Sequence, residues 1–148
     1  MDQIAYNKQL IEKYPWLLPR NVWTDKVEDN YDYSYTLLDE MPDGWRKAFG
    51  EQLCEELQQA LLKDGEQAVK DYRIEQIKEK YAALRWYDNY STEATRKVID
   101  KYEVLSMKTC IQCGKPATKY TCGWIVPICD TCGNSSTARY IPLERVGM

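Results

Sequence analysis

Cys110-Ile111-Gln112-Cys113-Gly114 and Cys129-Asp130-Thr131-Cys132-Gly133 repeat one short pattern, and fifteen residues separate the two C-x-x-C pairs. That spacing is the signature of a four-cysteine zinc site. The glycine after each pair fits the same reading. A C-x-x-C knuckle turns its backbone toward the sulfurs, and the next residue often needs a positive φ, which glycine adopts without a Cβ clash. Cys110, Cys113, Cys129 and Cys132 are therefore the expected metal ligands, and the expected ion is structural Zn2+. Four sulfurs fill a tetrahedron, leaving no position for water or substrate. Iron–sulfur ligation is the other use of four cysteines, but two compact pairs on a ribbon-like pattern suit a mononuclear site better.

Working outward, a segment of about 40 residues buries too little apolar surface to fold alone, so metal replaces the missing core. Ala117–Thr121 and Trp124–Cys129 read as strands turning at Cys122-Gly123, and Thr137–Leu143 as a third, which makes a zinc ribbon. Residues 108–148 are thus expected to be the ribbon module and residues 1–107 a helical α+β domain. Cys122 sits at the hairpin tip, away from both knuckles, and reads as a turn residue. Cys54 lies in an apolar helical stretch and reads as a buried free thiol.

Upstream, residues 3–14 read as a short helix burying Ile4, Leu10, Ile11 and Tyr14, stopped by Pro15 and Pro19. A stronger helix follows Pro42-Asp43-Gly44, where Trp45, Phe49, Leu53, Leu57 and Leu61 recur every four residues and Gly65 is placed to close it. Residues 71–90 carry two signals. Lys78–Arg85 has helical propensity, whereas Tyr72, Ile74, Ile77, Trp86 and Tyr87 suit two strands joined near Ala82-Ala83. Ser91 and Thr92 are N-cap candidates for a last helix that buries Val98, Ile99, Tyr102 and Leu105 and leads into Cys110.

Charge is unevenly spread. The net charge is −3, from −6 in residues 1–107 and +3 in residues 108–148. Between Asp25 and Asp43, seven acids face only Lys26, the wrong sign for a chain that holds nucleic acid along its length. Within that stretch Tyr31, Tyr33 and Tyr35 alternate with Asp32 and Ser34, the period of a strand with one tyrosine face. Asp29, Tyr31, Asp32, Tyr33 and Tyr35 are the expected partner-binding surface, since tyrosine gives amphipathic contact at low entropy cost. Direct nucleic-acid contact would fall instead to the ribbon's Lys108, Lys115, Lys119, Arg139 and Arg145, with Trp124 or Tyr120 stacking.

The chain has no histidine, which removes the commonest general base and the commonest ligand of catalytic zinc. No phosphate-binding, dinucleotide or nucleophile-elbow motif is present. Hydrolase or transferase chemistry is accordingly the weakest of the functional readings. The start Met1-Asp2-Gln3-Ile4 lacks a basic stretch and an apolar core of signal type. With paired cysteines, that points to a reducing cytoplasm, in preference to disulfides in a secreted protein.

The chain resembles an uncharacterised family of small bacteriophage, prophage and bacterial proteins with a C-terminal four-cysteine zinc ribbon. The residues that carry the resemblance are Met41-Pro-Asp-Gly-Trp-Arg-Lys-Ala-Phe-Gly50 into Leu53-Cys-Glu-Glu-Leu57, then Gln76-Ile-Lys-Glu-Lys-Tyr-Ala-Ala-Leu-Arg-Trp-Tyr87, then the cysteine pairs. Similar proteins often have glycine where this one has Ala82 or Ala83. The resemblance therefore implies a β-hairpin at about 72–88, and the alanines are a departure from it. It implies no enzymatic activity and a phage-associated setting, in which such proteins bind host or defence machinery. The expected function is a non-enzymatic, cytoplasmic, zinc-binding protein that engages a host protein or nucleoprotein assembly, as an anti-CRISPR-like inhibitor would. The alternative is a nucleic-acid-binding regulator using the zinc ribbon.

Overall fold

The computed structural model describes residues 2–133 and 140–142 and shows an α+β architecture. Helix α1 spans Gln3–Lys13, capped by the Asp2 carboxylate, which accepts from the Ala5 amide at 2.8 Å. Its inward face is Leu10 with Asn7 rather than Ile4, which is exposed. Asn7 is buried because its Nδ2 donates to the Tyr33 carbonyl at 2.9 Å, tying the acidic segment to α1. Pro15 ends α1 by opening a 3-10 turn, Pro15–Leu17, that drives Trp16 and Leu17 into the core.

Asp43–Trp45, Arg46–Gly50 and Glu51–Leu62 run on as one helix, α2, whose middle piece is a π turn. The turn has a sequence reason. A strict four-residue apolar repeat outruns the 3.6 residues of an α turn, and one wider i→i+5 turn takes up part of the excess. Trp45, Phe49, Leu53, Leu57 and Leu61 are all buried as a result, each worth about 1.5–3 kcal/mol of burial. Gly65, at φ +97, breaks the helix before the short α3, Glu66–Asp71.

Strands β1, Ile74–Lys80, and β2, Ala83–Asp88, form the antiparallel hairpin, with Ile77 opposite Trp86 and Lys80 opposite Ala83. Helical propensity over 78–85 loses because Ile74, Ile77, Leu84 and Trp86 all reach the core from the two strands. The turn is Tyr81-Ala82, one residue earlier than the sequence indicates, and both residues have positive φ, +54 and +69. That is the geometry of a two-residue hairpin loop, where glycine is the usual choice. Trp16 links the layers, its ring 5.4 Å from Tyr72 and 6.3 Å from Trp86.

Helix α4, Glu93–Ser106, starts at a capping box between Thr92 and Thr95. Its buried line is Thr95, Ile99, Tyr102 and Ser106. Leu105, expected inside, is exposed, and Ser106 takes the inward place because its Oγ accepts from the Leu84 amide at 2.8 Å. The C-terminal sheet has order β4-β3-β5, with β3 Lys119–Thr121, β4 Pro127–Ile128 and β5 Tyr140–Pro142. The rest of the expected third strand, Thr137–Arg139 and Leu143, lies outside the described residues. No helix among the described residues is long and apolar enough to cross a membrane.

The expected strand through Tyr31, Tyr33 and Tyr35 does not form. Tyr33 has φ +64, and the Asp32 carboxylate accepts from the Ser34 amide at 3.0 Å, so the chain bends where a strand would extend. The rings gather instead of lining one face: Tyr31 lies 4.9 Å from Tyr33 and 5.4 Å from Tyr35.

Candidate metal centre

The two cysteine pairs sit on matching backbone turns. The Gly114 amide donates to the Cys110 carbonyl at 3.0 Å, and the Gly133 amide donates to the Cys129 carbonyl at 2.9 Å. Gly114 has φ +85, as the knuckle reading requires, and Gly133 ends a helical turn, α5, Asp130–Gly133. Backbone bonds then hold the knuckles together: Ile111 donates to Pro127 O at 3.0 Å, and Thr118 donates to Ile128 O at 3.0 Å. The four sulfurs of Cys110, Cys113, Cys129 and Cys132 consequently lie within 4.8 Å of one another and could hold a metal ion. Cys110 and Cys129 are buried, whereas Cys113 and Cys132 are half-buried.

The electrostatics of the cluster ask for a cation. The Cys132 amide donates to Cys129 Sγ at 3.4 Å and is the main cause that lowers the Cys129 thiol to about 7. Cys132 is pushed up to about 12, first by its hydrogen bond to Cys129. Four neighbouring sulfurs cannot all ionise against each other without a positive ion among them. No two of the six cysteines are joined as a disulfide, so disulfide stapling is not how this module is held.

The centre is mounted on more than the end of α4. Tyr120 Oη donates to Met107 O at 2.8 Å, which ties the ribbon to that helix end. The start of α2 contributes as much. Trp45 Nε1 donates to Thr109 O at 2.9 Å, and the Gly44 amide donates to Ile111 O at 2.8 Å. Sequence periodicity marked Trp45 as core but gave no sign that its indole nitrogen serves the first knuckle.

Cys122 sits outside the sulfur cluster, next to Gly123 at φ +82, as a turn residue does. Cys54 is fully buried, and that burial raises its thiol far above the usual range.

Of the expected partner-binding residues, Tyr31, Tyr33 and Tyr35 come together as the ring cluster, with Lys8 of α1 5.4 Å above Tyr33. Asp29 and Asp32 are exposed beside it. Several acids of the same stretch do structural work. Asp25 takes a two-pronged ion pair from Arg73, Asp39 pairs with Arg46, and Glu40 accepts from the Ile77 amide at 3.1 Å. One residue was missed altogether. Trp23 is 89% exposed on a tight turn closed by the Asn21 amide to Lys26 O, and by the Asn21 side chain accepting from the Trp23 and Thr24 amides. Its signal in the sequence is a lone tryptophan within residues 20–30, a stretch otherwise made mostly of charged and polar residues. In comparison with known proteins, no family model, curated protein or solved structure matches this chain.

Proposed function

We propose that this chain is a non-enzymatic binding protein in which the four cysteines hold one structural Zn2+ and the aromatic, acidic 19–35 surface takes a partner. A tetrahedral zinc–thiolate site has bonds of about 2.3 Å, hence sulfur–sulfur edges of about 3.8 Å. The Cys113–Cys129 separation of 3.5 Å and the 4.8 Å limit over all four sulfurs bracket that edge. Zinc so enclosed has no free coordination site, which favours scaffolding over catalysis.

The observation that carries the binding reading is Trp23. A tryptophan left in solvent on a hydrogen-bonded turn has its backbone placed in advance, so docking it as an anchor costs only the ordering of its side chain. Arg73 fixes the turn through Asp25 at 2.7 and 3.1 Å. Glu28, Tyr31 and Tyr35 line a small cleft with Pro19, Arg20 and Asn21 of the turn, and Asp29 and Asp32 are exposed in the same stretch of chain. That pattern fits a host protein or nucleoprotein with a basic face around an apolar pocket. The bacterial cytoplasm is the compartment in which such a thiolate centre stays reduced. Inhibition of a defence system, of the anti-CRISPR kind, is a role this surface could serve.

The test is to cross-link the zinc-loaded protein in a lysate of a defence-bearing host, identify the partner, and titrate it in purified form. Trp23→Ala should weaken the complex by about 30-fold, the effect of a 2 kcal/mol anchor. Asp29→Lys with Asp32→Lys should slow association and weaken its salt dependence. Unchanged affinity in both variants would remove this surface as the binding site.

A further inference from the structure

The tip of the β1–β2 hairpin and the tip of the ribbon enclose a groove of about 640 Å³, lined by Lys78, Glu79, Lys80, Tyr81, Trp124 and Ile125. Its walls carry two of the most exposed aromatic rings among the described residues, Tyr81 at 78% and Trp124 at 77% exposure. Neither ring packs into the core. Each nevertheless has a fixed mount. Tyr81 stands on the tight turn, and the Trp124 indole is tied to Glu79, its Nε1 donating to Oε1 at 2.7 Å. The other oxygen of that carboxylate accepts from the Ala82 amide at 2.9 Å.

Those bonds decide what the groove can offer. The one indole donor and both carboxylate oxygens are already engaged, so Trp124 presents only its ring faces. The cations of the groove are the ammonium groups of Lys78 and Lys80, which lie 5.7 Å from the Tyr87 ring and 5.5 Å from the Tyr81 ring. They outnumber the single carboxylate, Glu79, whose two hydrogen-bond donors are neutral and leave its charge in place. Ring faces beside cations suit a ligand that is flat and anionic. The donors that remain are the two ammonium groups and the Tyr81 hydroxyl, which favour an acceptor-rich, anionic ligand over a neutral peptide or sugar. Base stacking on exposed aromatics with phosphate pairing to lysine is how single-stranded nucleic acid is held without sequence preference.

We infer that the Tyr81–Trp124 groove is a binding site for single-stranded nucleic acid, with the two rings stacking on bases and Lys78 and Lys80 meeting the flanking phosphates. The site lies on the hairpin and ribbon tips, whereas the protein-docking surface is built from residues 19–35. Its success or failure is therefore independent of that reading. A duplex, whose bases are already stacked, offers the rings nothing.

The probe is a short fluorescein-labelled oligothymidylate, with the matching oligouridylate and a DNA duplex in parallel, titrated with full-length zinc-loaded protein. Single strands should bind and the duplex should not. Two phosphate contacts should give a log–log salt slope of about −1.4, at about −0.7 per contact on a single strand. Trp124→Ala and Tyr81→Ala should each weaken binding by about five- to 150-fold, the range for one stacked base. Trp124→Phe should recover most of that loss, because it keeps a ring and drops only the bond to Glu79. Lys80→Glu should weaken binding, and Trp23→Ala should leave it unchanged. Circular dichroism and zinc content would show each variant folded. The inference is overturned by wild-type protein that leaves the single strands unbound, by duplex binding of equal strength, or by alanine variants that bind as wild type does.

Discussion

Gly44 lies in backbone contact with Cys110: a Cβ on Gly44 would overlap the Cys110 carbonyl oxygen and stand 2.6 Å from Ile111 O. Gly114 presses on the same place from the other side, where its Cβ would be 2.7 Å from Gly44 O. The first knuckle and the start of α2 are thus interlocked backbone to backbone, with no room for side chains between them. Gly44→Ala should cost at least about 3 kcal/mol, the upper range for overpacking, and should weaken metal retention as well. Urea unfolding and competition with a zinc-binding dye would read both effects together.

The cysteines should separate into classes by reactivity toward a thiol reagent. Cys122, outside the cluster, reacts first in the metal-loaded protein. The four clustered thiols react after chelation. Cys54, fully buried with its thiol raised by desolvation, reacts only on unfolding. Cys122→Ser should keep the metal and remove the fast phase, whereas Cys129→Ser should release the metal.

Arg73 holds the Trp23 turn through Asp25, whose carboxyl is kept below its ordinary 3.8 mainly by the hydrogen bond from Arg73. A depressed acid contributes stability above its unfolded value, and that contribution is lost as pH falls through the lower folded value. An NMR titration should place the Asp25 midpoint below 3.8, and Arg73→Ala should return it to the ordinary range. Acid should also loosen the turn before the core unfolds.

Tyr81 occupies a left-handed position that a non-glycine residue reaches only at a cost of about 1 kcal/mol or more. Tyr81→Asn should therefore raise the melting temperature, since asparagine tolerates that conformation. The same change removes an exposed ring from the groove, so stability and single-strand binding should move in opposite directions.

What the sequence made legible followed from local chemistry. The cysteine spacing anticipated the sulfur cluster, the four-residue apolar repeat anticipated the buried face of α2, and Thr92 anticipated the cap of α4. Its failures have physical causes as well. Alternating tyrosines imitate a strand, but Tyr33 at φ +64 and the Asp32–Ser34 bond make a bend whose alternation is incidental. Leu105 yielded its inward place to Ser106 because the edge amide of Leu84 needed an acceptor. The Trp124–Glu79 and Gly44–Ile111 contacts join residues 45 and 67 positions apart, and no local pattern marks such pairs.

The most direct measurement is X-ray absorption at the zinc edge on protein purified with its metal, together with elemental analysis. The account predicts about one zinc per chain with a single shell of four sulfurs at about 2.3 Å and no oxygen or nitrogen neighbour. A light-atom ligand in the first shell, a zinc content near zero, or cysteines found joined as disulfides would contradict it.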